Sequence, residues 1–260
     1  MSAQLTNLKE KLGLITGASS GIGRATAHTL ATLGCDLILV GRRQERLSET
    51  MRELTEAHGV NVSTLSLDVS DRAACERAYQ ADRECWNRID ILVNNAGLAL
   101  GTEPFQLASL DNVERMIDVN IKGLLFMTRM IASGMAERKT GHIVNIGSVA
   151  GRWTYPGGAV YCATKFAVRA LTEGLRMDLK GLGVRVTNMS PGMVETEFSE
   201  VRLKDREQAA KVYEGMTPLS PGDVADAIAW CLTRPAHVNV QEMLLFPTDQ
   251  PAVGQVVRRT

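Results

Sequence analysis

A phenol and an ammonium group lie four residues apart in Tyr161-Cys162-Ala163-Thr164-Lys165. On a helix that spacing puts both on one face. A tyrosine alone titrates near ~10, too high for acid–base work at neutral pH. A neighbouring cation favours the phenolate and draws that value toward the working range, which makes the phenol a usable general acid or base. Such a pair occurs by chance on many helices, so other groups must support it. Ser148 stands thirteen residues before Tyr161, just after the strand-like run His142 to Ile146, where its hydroxyl can hold a carbonyl oxygen. Asn120 lies inside a stretch read as one helix, Asp111 to Met135, although Asn is a poor helix former. It holds a water that relays a proton to Lys165, or it marks a local kink satisfied by solvent.

A second set of residues suits a phosphate. Thr16-Gly17-Ala18-Ser19-Ser20-Gly21-Ile22-Gly23 separates a strand from a helix. The glycines let the backbone turn sharply and approach a pyrophosphate, and the helix that follows offers unpaired N–H groups to the anion. Gly17, Ser19, Ser20, Gly21, Ile22 and Gly23 are the candidate contacts. The second strand ends Val40-Gly41-Arg42-Arg43. An NAD site places a carboxylate there for the ribose 2′-hydroxyl. Gly41 followed by Arg42 and Arg43 suits a 2′-phosphate instead, so NADP is the expected cofactor. Asp68, with Val69, ends the third strand, where a carboxylate can accept from the adenine amino group. The competing role of helix N-cap falls equally well to Ser70 or Asp71. Asn94-Asn95-Ala96-Gly97 ends the fourth strand. Asn95, Ala96 and Gly97 are small enough for a ribose to approach, and the Asn side chains can also tie neighbouring strands together.

These groups must be positioned by alternating strands and helices. Strands are read at Leu12 to Thr16, Asp36 to Val40, Val60 to Leu67, Ile89 to Val93, His142 to Ile146, Val184 to Met189 and Val240 to Phe246. Helices are read at Gly23 to Leu33, Arg46 to His58, Asp111 to Met135, Tyr161 to Lys180 and Pro221 to Leu232. The strands are near-continuous apolar runs, as in a parallel sheet covered on both faces. This predicts an α/β doubly wound Rossmann fold, one domain over residues 1–260, with a mostly parallel seven-stranded sheet. Ligands of such folds sit beyond the carboxyl ends of the strands, where each motif above falls.

The 260 residues suffice for one large α/β domain. Lys plus Arg and Asp plus Glu balance at 29 each, which speaks against nucleic acid or an anionic membrane as partner. Aromatic residues total 5%, few for a base-stacking surface. Five cysteines, Cys35, Cys75, Cys85, Cys162 and Cys231, show no metal-ligand spacing and read as free thiols of a reducing cytoplasm. No metal site is expected. No signal-peptide core or membrane span is apparent, so the expected location is cytoplasmic.

Together these residues resemble the short-chain dehydrogenase/reductase family over nearly the whole chain. Thr16-Gly17-x-x-x-Gly21-x-Gly23, Asn94-Asn95-Ala96-Gly97, Asn120, Ser148, Tyr161-x-x-x-Lys165 and Pro191-Gly192 stand in that family's order and spacing. The resemblance implies that Asn120, Ser148, Tyr161 and Lys165 form a catalytic tetrad. It implies that Pro191, Gly192, Val194 and Thr196 contact the nicotinamide, that Tyr161 and Lys165 also touch the cofactor, and that the chain assembles as a homotetramer. Gly41 to Leu47, Asn95 to Gly101 and Pro235 to Asn239 resemble more narrowly the NADP-dependent 3-hydroxy acid dehydrogenases, and sulfoacetaldehyde reductases are similar. The chain departs from that group at Arg152-Trp153, and in having no extra glycine between Val194 and Thr196.

The implied reaction is hydride transfer from NADPH to a small carbonyl polarised by Ser148 and Tyr161. The proton leaves Tyr161 and is restored through Lys165, the ribose and water near Asn120. The expected substrate is a small anionic aldehyde, either sulfoacetaldehyde or malonic semialdehyde. Ser148, Arg152, Tyr155 and Arg202 are its candidate contacts, with Arg152 leading because it follows Ser148 by four residues. Arg202 belongs to a substrate-covering segment at about 197–216. Arg258 and Arg259, in the tail 251–260, are a third possible anion site, reaching a neighbouring subunit. Two other readings stand beside this one: a 3-oxoacyl thioester or broad ketone reductase, and a non-catalytic NADP-binding sensor.

Overall fold

Alternating apolar runs and amphipathic stretches fold as their periodicity dictates in the computed structural model, which describes residues 7–259. The strands are β1 Leu12–Thr16, β2 Asp36–Gly41, β3 Val62–Ser66, β4 Ile91–Asn94, β5 Gly141–Ile146, β6 Val184–Pro191 and β7 Glu242–Leu245. The helices are α1 Gly21–Thr32, α2 Gln44–His58, α3 Arg72–Ala81, α4 Arg83–Arg88, α5 Leu110–Ile117, α6 Leu124–Arg138, α7 Ala159–Asp178, α8 Phe198–Leu203, α9 Arg206–Lys211 and α10 Pro221–Leu232.

The seven strands form one sheet in the order β3-β2-β1-β4-β5-β6-β7. Every pairing is parallel, so the expected "mostly parallel" sheet is wholly so. Successive side chains enter opposite faces. In β1, Leu14 joins the core with Trp86, Met127 and Met135, while Ile15 joins the core with Leu30, Leu47 and Ile228. Helices α1, α2 and α10 thus cover one face, and the α3–α6 side covers the other. Each fully buried Leu or Ile contributes ~1.5–3 kcal/mol.

Chain order reverses between β1 and β4, which opens a crevice at their carboxyl ends. Buried amides brace this edge. Asn94 Nδ2 donates to Asn145 Oδ1 and Thr128 Oγ1, both at 2.8 Å. Asn95 Nδ2 donates to Thr16 O at 2.9 Å and Gly17 O at 3.2 Å. They tie β1, β4, β5 and α6 together, as the sequence suggested. No helix among the described residues is long and apolar enough to cross a membrane.

The stretch read as one helix from Asp111 to Met135 is not continuous. A π-helical segment, Asp118–Gly123, separates α5 from α6. Asn120 lies in it, 2% exposed. Its burial rules out a kink satisfied by solvent.

Candidate active site

A cavity of about 600 Å³ opens at the carboxyl ends of the strands. Its floor is the turn between β1 and α1. Gly17 and Gly21 have φ of +66° and +52°, a region that side-chain-bearing residues avoid. Gly23 is needed for a different reason: a Cβ there would lie 2.4 Å from Gly17 O and from Asn95 Nδ2. It packs the helix onto the strand and does not line the cavity. The twelve-residue α1 then starts at the cavity floor and aims its N-terminus into it.

The rim follows from the strand ends. Arg42 and Arg43 at the end of β2, Asp68 and Val69 after β3, Asn95 to Gly97 after β4, and Pro191 to Val194 with Thr196 at and beyond the end of β6 all line the cavity. Asp68 already has partners. Its Oδ1 accepts from Ser70 N and Oγ at 3.0 and 2.6 Å, and its Oδ2 accepts from Arg115 Nη2 at 2.7 Å. Burial opposes its charge, but these bonds outweigh burial and hold the carboxyl below its usual range. The N-cap role goes to Asp71, which accepts from Ala74 N at 2.9 Å.

Ser148, Tyr161 and Lys165 meet in the middle of this cavity. Ser148 follows β5, accepts from Ala150 N at 3.1 Å, donates to Pro191 O at 3.4 Å, and faces the cavity together with the Tyr161 phenol. One turn of α7 separates Tyr161 from Lys165, whose Nζ lies 5.8 Å from the phenol ring centroid. That ammonium donates to Ile146 O at 2.8 Å. Burial lowers its pKa to about 8. Burial also pushes the Tyr161 phenol well above its usual value, with Ser148 pulling weakly the other way. The sequence suggested a downward shift caused by Lys165 together with an oxidised nicotinamide. In the protein alone the direction is upward, because desolvation dominates.

Asn120 stands behind this group and not in the cavity wall. Its Oδ1 accepts from Leu98 N at 2.8 Å, and its Nδ2 donates to Leu98 O at 2.8 Å and Thr164 Oγ1 at 3.0 Å. Both amide protons are spent, so the side chain retains one acceptor lone pair for a water. Its evident work is to staple the exit of β4 to α7. Gly97 runs between: a Cβ on it would lie 3.4 Å from Asn120 Oδ1 and 3.6 Å from Lys165 Nζ.

The substrate candidates separate sharply. Arg202, on α8, lines the cavity. It donates to Gly101 O at 3.1 Å, Tyr155 OH at 3.0 Å and Gly157 O at 3.4 Å, none of them an anion. Tyr155 lines the cavity beside it. Arg152, the leading candidate from sequence, lies outside the cavity lining. It pairs with Glu242 of β7 through Nε and Nη2. The tail arginines also have partners within their own chain. Arg258 donates to Glu214 O and Val212 O, and Arg259 Nη2 pairs with Asp249 at 2.7 Å, so both fold back on their own chain. The same tail supplies wall residues that the sequence did not single out, Val253 and Gly254. Cys162, next to Tyr161, is fully buried with its thiol pushed up, an unreactive setting.

A model of the short-chain dehydrogenase family matches residues 11–207, which include the glycine turn, Ser148, Tyr161 and Lys165. The chain belongs to the short-chain dehydrogenases. Its relatives within that family match almost end to end. An NADP-dependent 3-hydroxy acid dehydrogenase, YdfG, of Salmonella typhi is 49% identical over 249 residues, covering 95% of this chain and 99% of the relative. Sulfoacetaldehyde reductase 2 of Chromohalobacter salexigens is 48% identical over 239 residues, covering 91% and 94%. Among solved structures, the closed form of a serine dehydrogenase complexed with NADP+ superposes on this short-chain dehydrogenase with a TM-score of 0.87. That protein is 47% identical, and the match covers 96% of this chain and all of the other.

Proposed function

We propose that this short-chain dehydrogenase is an NADP-dependent enzyme that interconverts a small anionic aldehyde and its alcohol. It acts on the CH–OH or carbonyl group of sulfoacetaldehyde/isethionate or malonic semialdehyde/3-hydroxypropionate. The observation that carries the anionic substrate is Arg202: a guanidinium inside the cavity whose partners are all neutral. The relatives' names support the same class, since they are a 3-hydroxy acid dehydrogenase and a sulfoacetaldehyde reductase.

NADP fits the residues present. The glycine turn and the start of α1 suit the pyrophosphate, and Arg42 and Arg43 stand where the second strand delivers the adenosine ribose. When bound as NADPH, the cofactor supplies the hydride. The protein's part is orientation and proton handling. Ser148 and Tyr161 donate hydrogen bonds to the carbonyl oxygen, and donors already in place stabilise the developing alkoxide without reorganising. Tyr161 surrenders its proton to that oxygen. Lys165, beside it, holds a proton that is readily lost and regained, because burial has brought its pKa to about 8. The location is cytoplasmic and the assembly a homotetramer, whose mass sedimentation equilibrium would give as four chains.

Two experiments test this reading. Purified protein should consume NADPH faster with sulfoacetaldehyde or malonic semialdehyde than with an acetoacetyl thioester or a simple ketone. Preference for either of the latter supports the broad ketone reductase instead. Replacing Arg42 and Arg43 together by Ala should raise KM for NADPH at least about tenfold, given ~1.5–3 kcal/mol for each charged hydrogen bond. KM for NADH should stay nearly constant. Equal efficiency of the unmodified enzyme with both cofactors removes the basis for a 2′-phosphate site.

A further inference from the structure

The two arginines at the end of β2 differ in their surroundings. Arg42 is exposed at the cavity rim. Arg43 has all three nitrogens engaged. Its Nε donates to Ser19 Oγ at 3.2 Å, its Nη2 to Ser20 Oγ at 2.7 Å, and its Nη1 to Glu197 Oε2 at 2.8 Å. Arg46, one turn into α2, binds the other oxygen of the same carboxylate. Glu197 is the N-cap position of α8, the helix that carries Arg202. It also lines the cavity next to Arg43.

Burial opposes the charge on Glu197, but hydrogen bonds from Arg46 and Arg43 outweigh it and keep the carboxyl below its usual range. It is therefore an anion at neutral pH. Ser19 and Ser20 belong to the glycine turn, so their bonds fix the Arg43 guanidinium over the phosphate region. The remaining face of its donor fork is the one Glu197 holds.

We infer that Glu197 is an internal counter-ion that occupies Arg43 in competition with the cofactor's 2′-phosphate, making it a determinant of NADP affinity and tying the head of α8 to the identity of the cofactor. The inference rests on the reading of Arg43 as a 2′-phosphate ligand. A phosphate monoester carries about −1.5 to −2 charges at pH 7 and would face the carboxylate across one guanidinium. Like charges so placed repel, so binding the phosphate on Arg43 means moving Glu197 off it. Glu197 keeps Arg46 after the exchange, which limits the cost. NADH has no 2′-phosphate and forces no exchange. Glu197 thus weakens NADPH binding alone, and NADPH alone detaches α8 from Arg43.

The test is fluorescence titration of NADPH and NADH on the unmodified enzyme, Glu197→Gln, Arg43→Ala and the double variant. Glu197→Gln keeps the size and hydrogen bonding of the side chain and removes its charge. It should bind NADPH about three- to fivefold tighter, the scale of a half-exposed ion pair, with NADH unchanged. In the Arg43→Ala background that gain should vanish. Hydrogen exchange of the amides of residues 198–203 should differ between saturating NADP+ and saturating NAD+ in the unmodified enzyme and not in Glu197→Gln. Weaker NADPH binding by Glu197→Gln would show that Glu197 braces Arg43, and unchanged binding would show an idle surface pair. Either result overturns the inference. If Arg43→Ala leaves NADPH affinity intact, the 2′-phosphate reading of Arg43 has failed. If Arg43→Ala weakens NADPH but Glu197→Gln does not tighten it, only the inference has failed.

Discussion

Tyr161→Phe is expected to lower turnover at least ~10²-fold, the lower range for loss of a positioned general acid. The fold and NADPH binding should survive. The substitution removes one oxygen and leaves the ring, which packs edge-on against Phe198 with centroids 5.6 Å apart. What is lost is the proton donor of the proposed mechanism. Burial holds that phenol well above its usual pKa, so in the protein alone it stays protonated across the working range, the correct state for reducing a carbonyl. Thermal melting and NADPH fluorescence should match the unmodified enzyme while turnover falls. Activity surviving within a few-fold would remove Tyr161 from the mechanism.

The pH profile adds an independent check. Lys165 titrates at about 8, down from an ordinary 10.5, because it is buried. Reduction consumes a proton, so its rate should decline as pH rises through about 8, while alcohol oxidation gains. The same shift bears on stability. Between about 8 and 10.5 the unfolded chain binds more protons at this lysine than the folded chain does. Stability from this group therefore rises with pH across that window, and the cost of burying the charge is complete below it. Lys165→Met should flatten both dependences.

Much of this site is legible in the chain, because its residues follow strands that are apolar on both faces. Such strands stand out, and their carboxyl ends are where the fold places ligands. The glycine turn, Arg42, Arg43, Ser148, Tyr161 and Lys165 therefore fall into one cavity as their order suggests. Other features depend on packing that no local pattern reports. Helices α3 and α4 lack a clear apolar face in the sequence, since seven of the seventeen residues Arg72 to Arg88 are charged and these helices bury only Cys75 and Trp86. The π-helical turn at Asp118–Gly123 shows in the sequence only as two poor helix formers, Asn120 and Gly123, which do not specify a wide turn. Arg152 follows Ser148 closely, but a 3₁₀ turn, Val149–Gly151, intervenes. Gly151 sits where a Cβ would be 2.7 Å from Lys165 O. The chain is thereby pressed onto α7 and sends Arg152 out to Glu242. The tail's return onto Val212, Glu214 and Asp249 is set by long-range bonds to backbone carbonyls and one carboxylate, which carry no sequence signature.

That placement leaves Arg202 as the proposed anion-binding residue, and on that proposal Arg202→Met is expected to cost ~2–5 kcal/mol in transition-state stabilisation for an anionic aldehyde. A carboxylate or sulfonate matches the planar guanidinium as a bidentate partner, and burial strengthens the pair. The arginine is pre-positioned by Gly101 O, Tyr155 OH and Gly157 O, and its cation lies 5.4 Å from the centroid of the Tyr155 ring. Arg202 and Tyr161 line the same cavity, and Phe198, on the same helix as Arg202, packs against the Tyr161 ring. Because Arg202 also anchors two loops, its loss can disturb the cavity without any anion being involved. An uncharged aldehyde of similar size separates the two effects. kcat/KM for sulfoacetaldehyde or malonic semialdehyde should collapse in Arg202→Met, while kcat/KM for propionaldehyde changes only a few-fold. Arg202→Lys, which keeps the charge but loses the fork, should fall between. Arg152→Lys should alter neither substrate selectively, since its partner is Glu242. An equal loss on both aldehydes in Arg202→Met would make Arg202 a loop anchor only. A preference of the unmodified enzyme for propionaldehyde would make the cavity that of a broad carbonyl reductase.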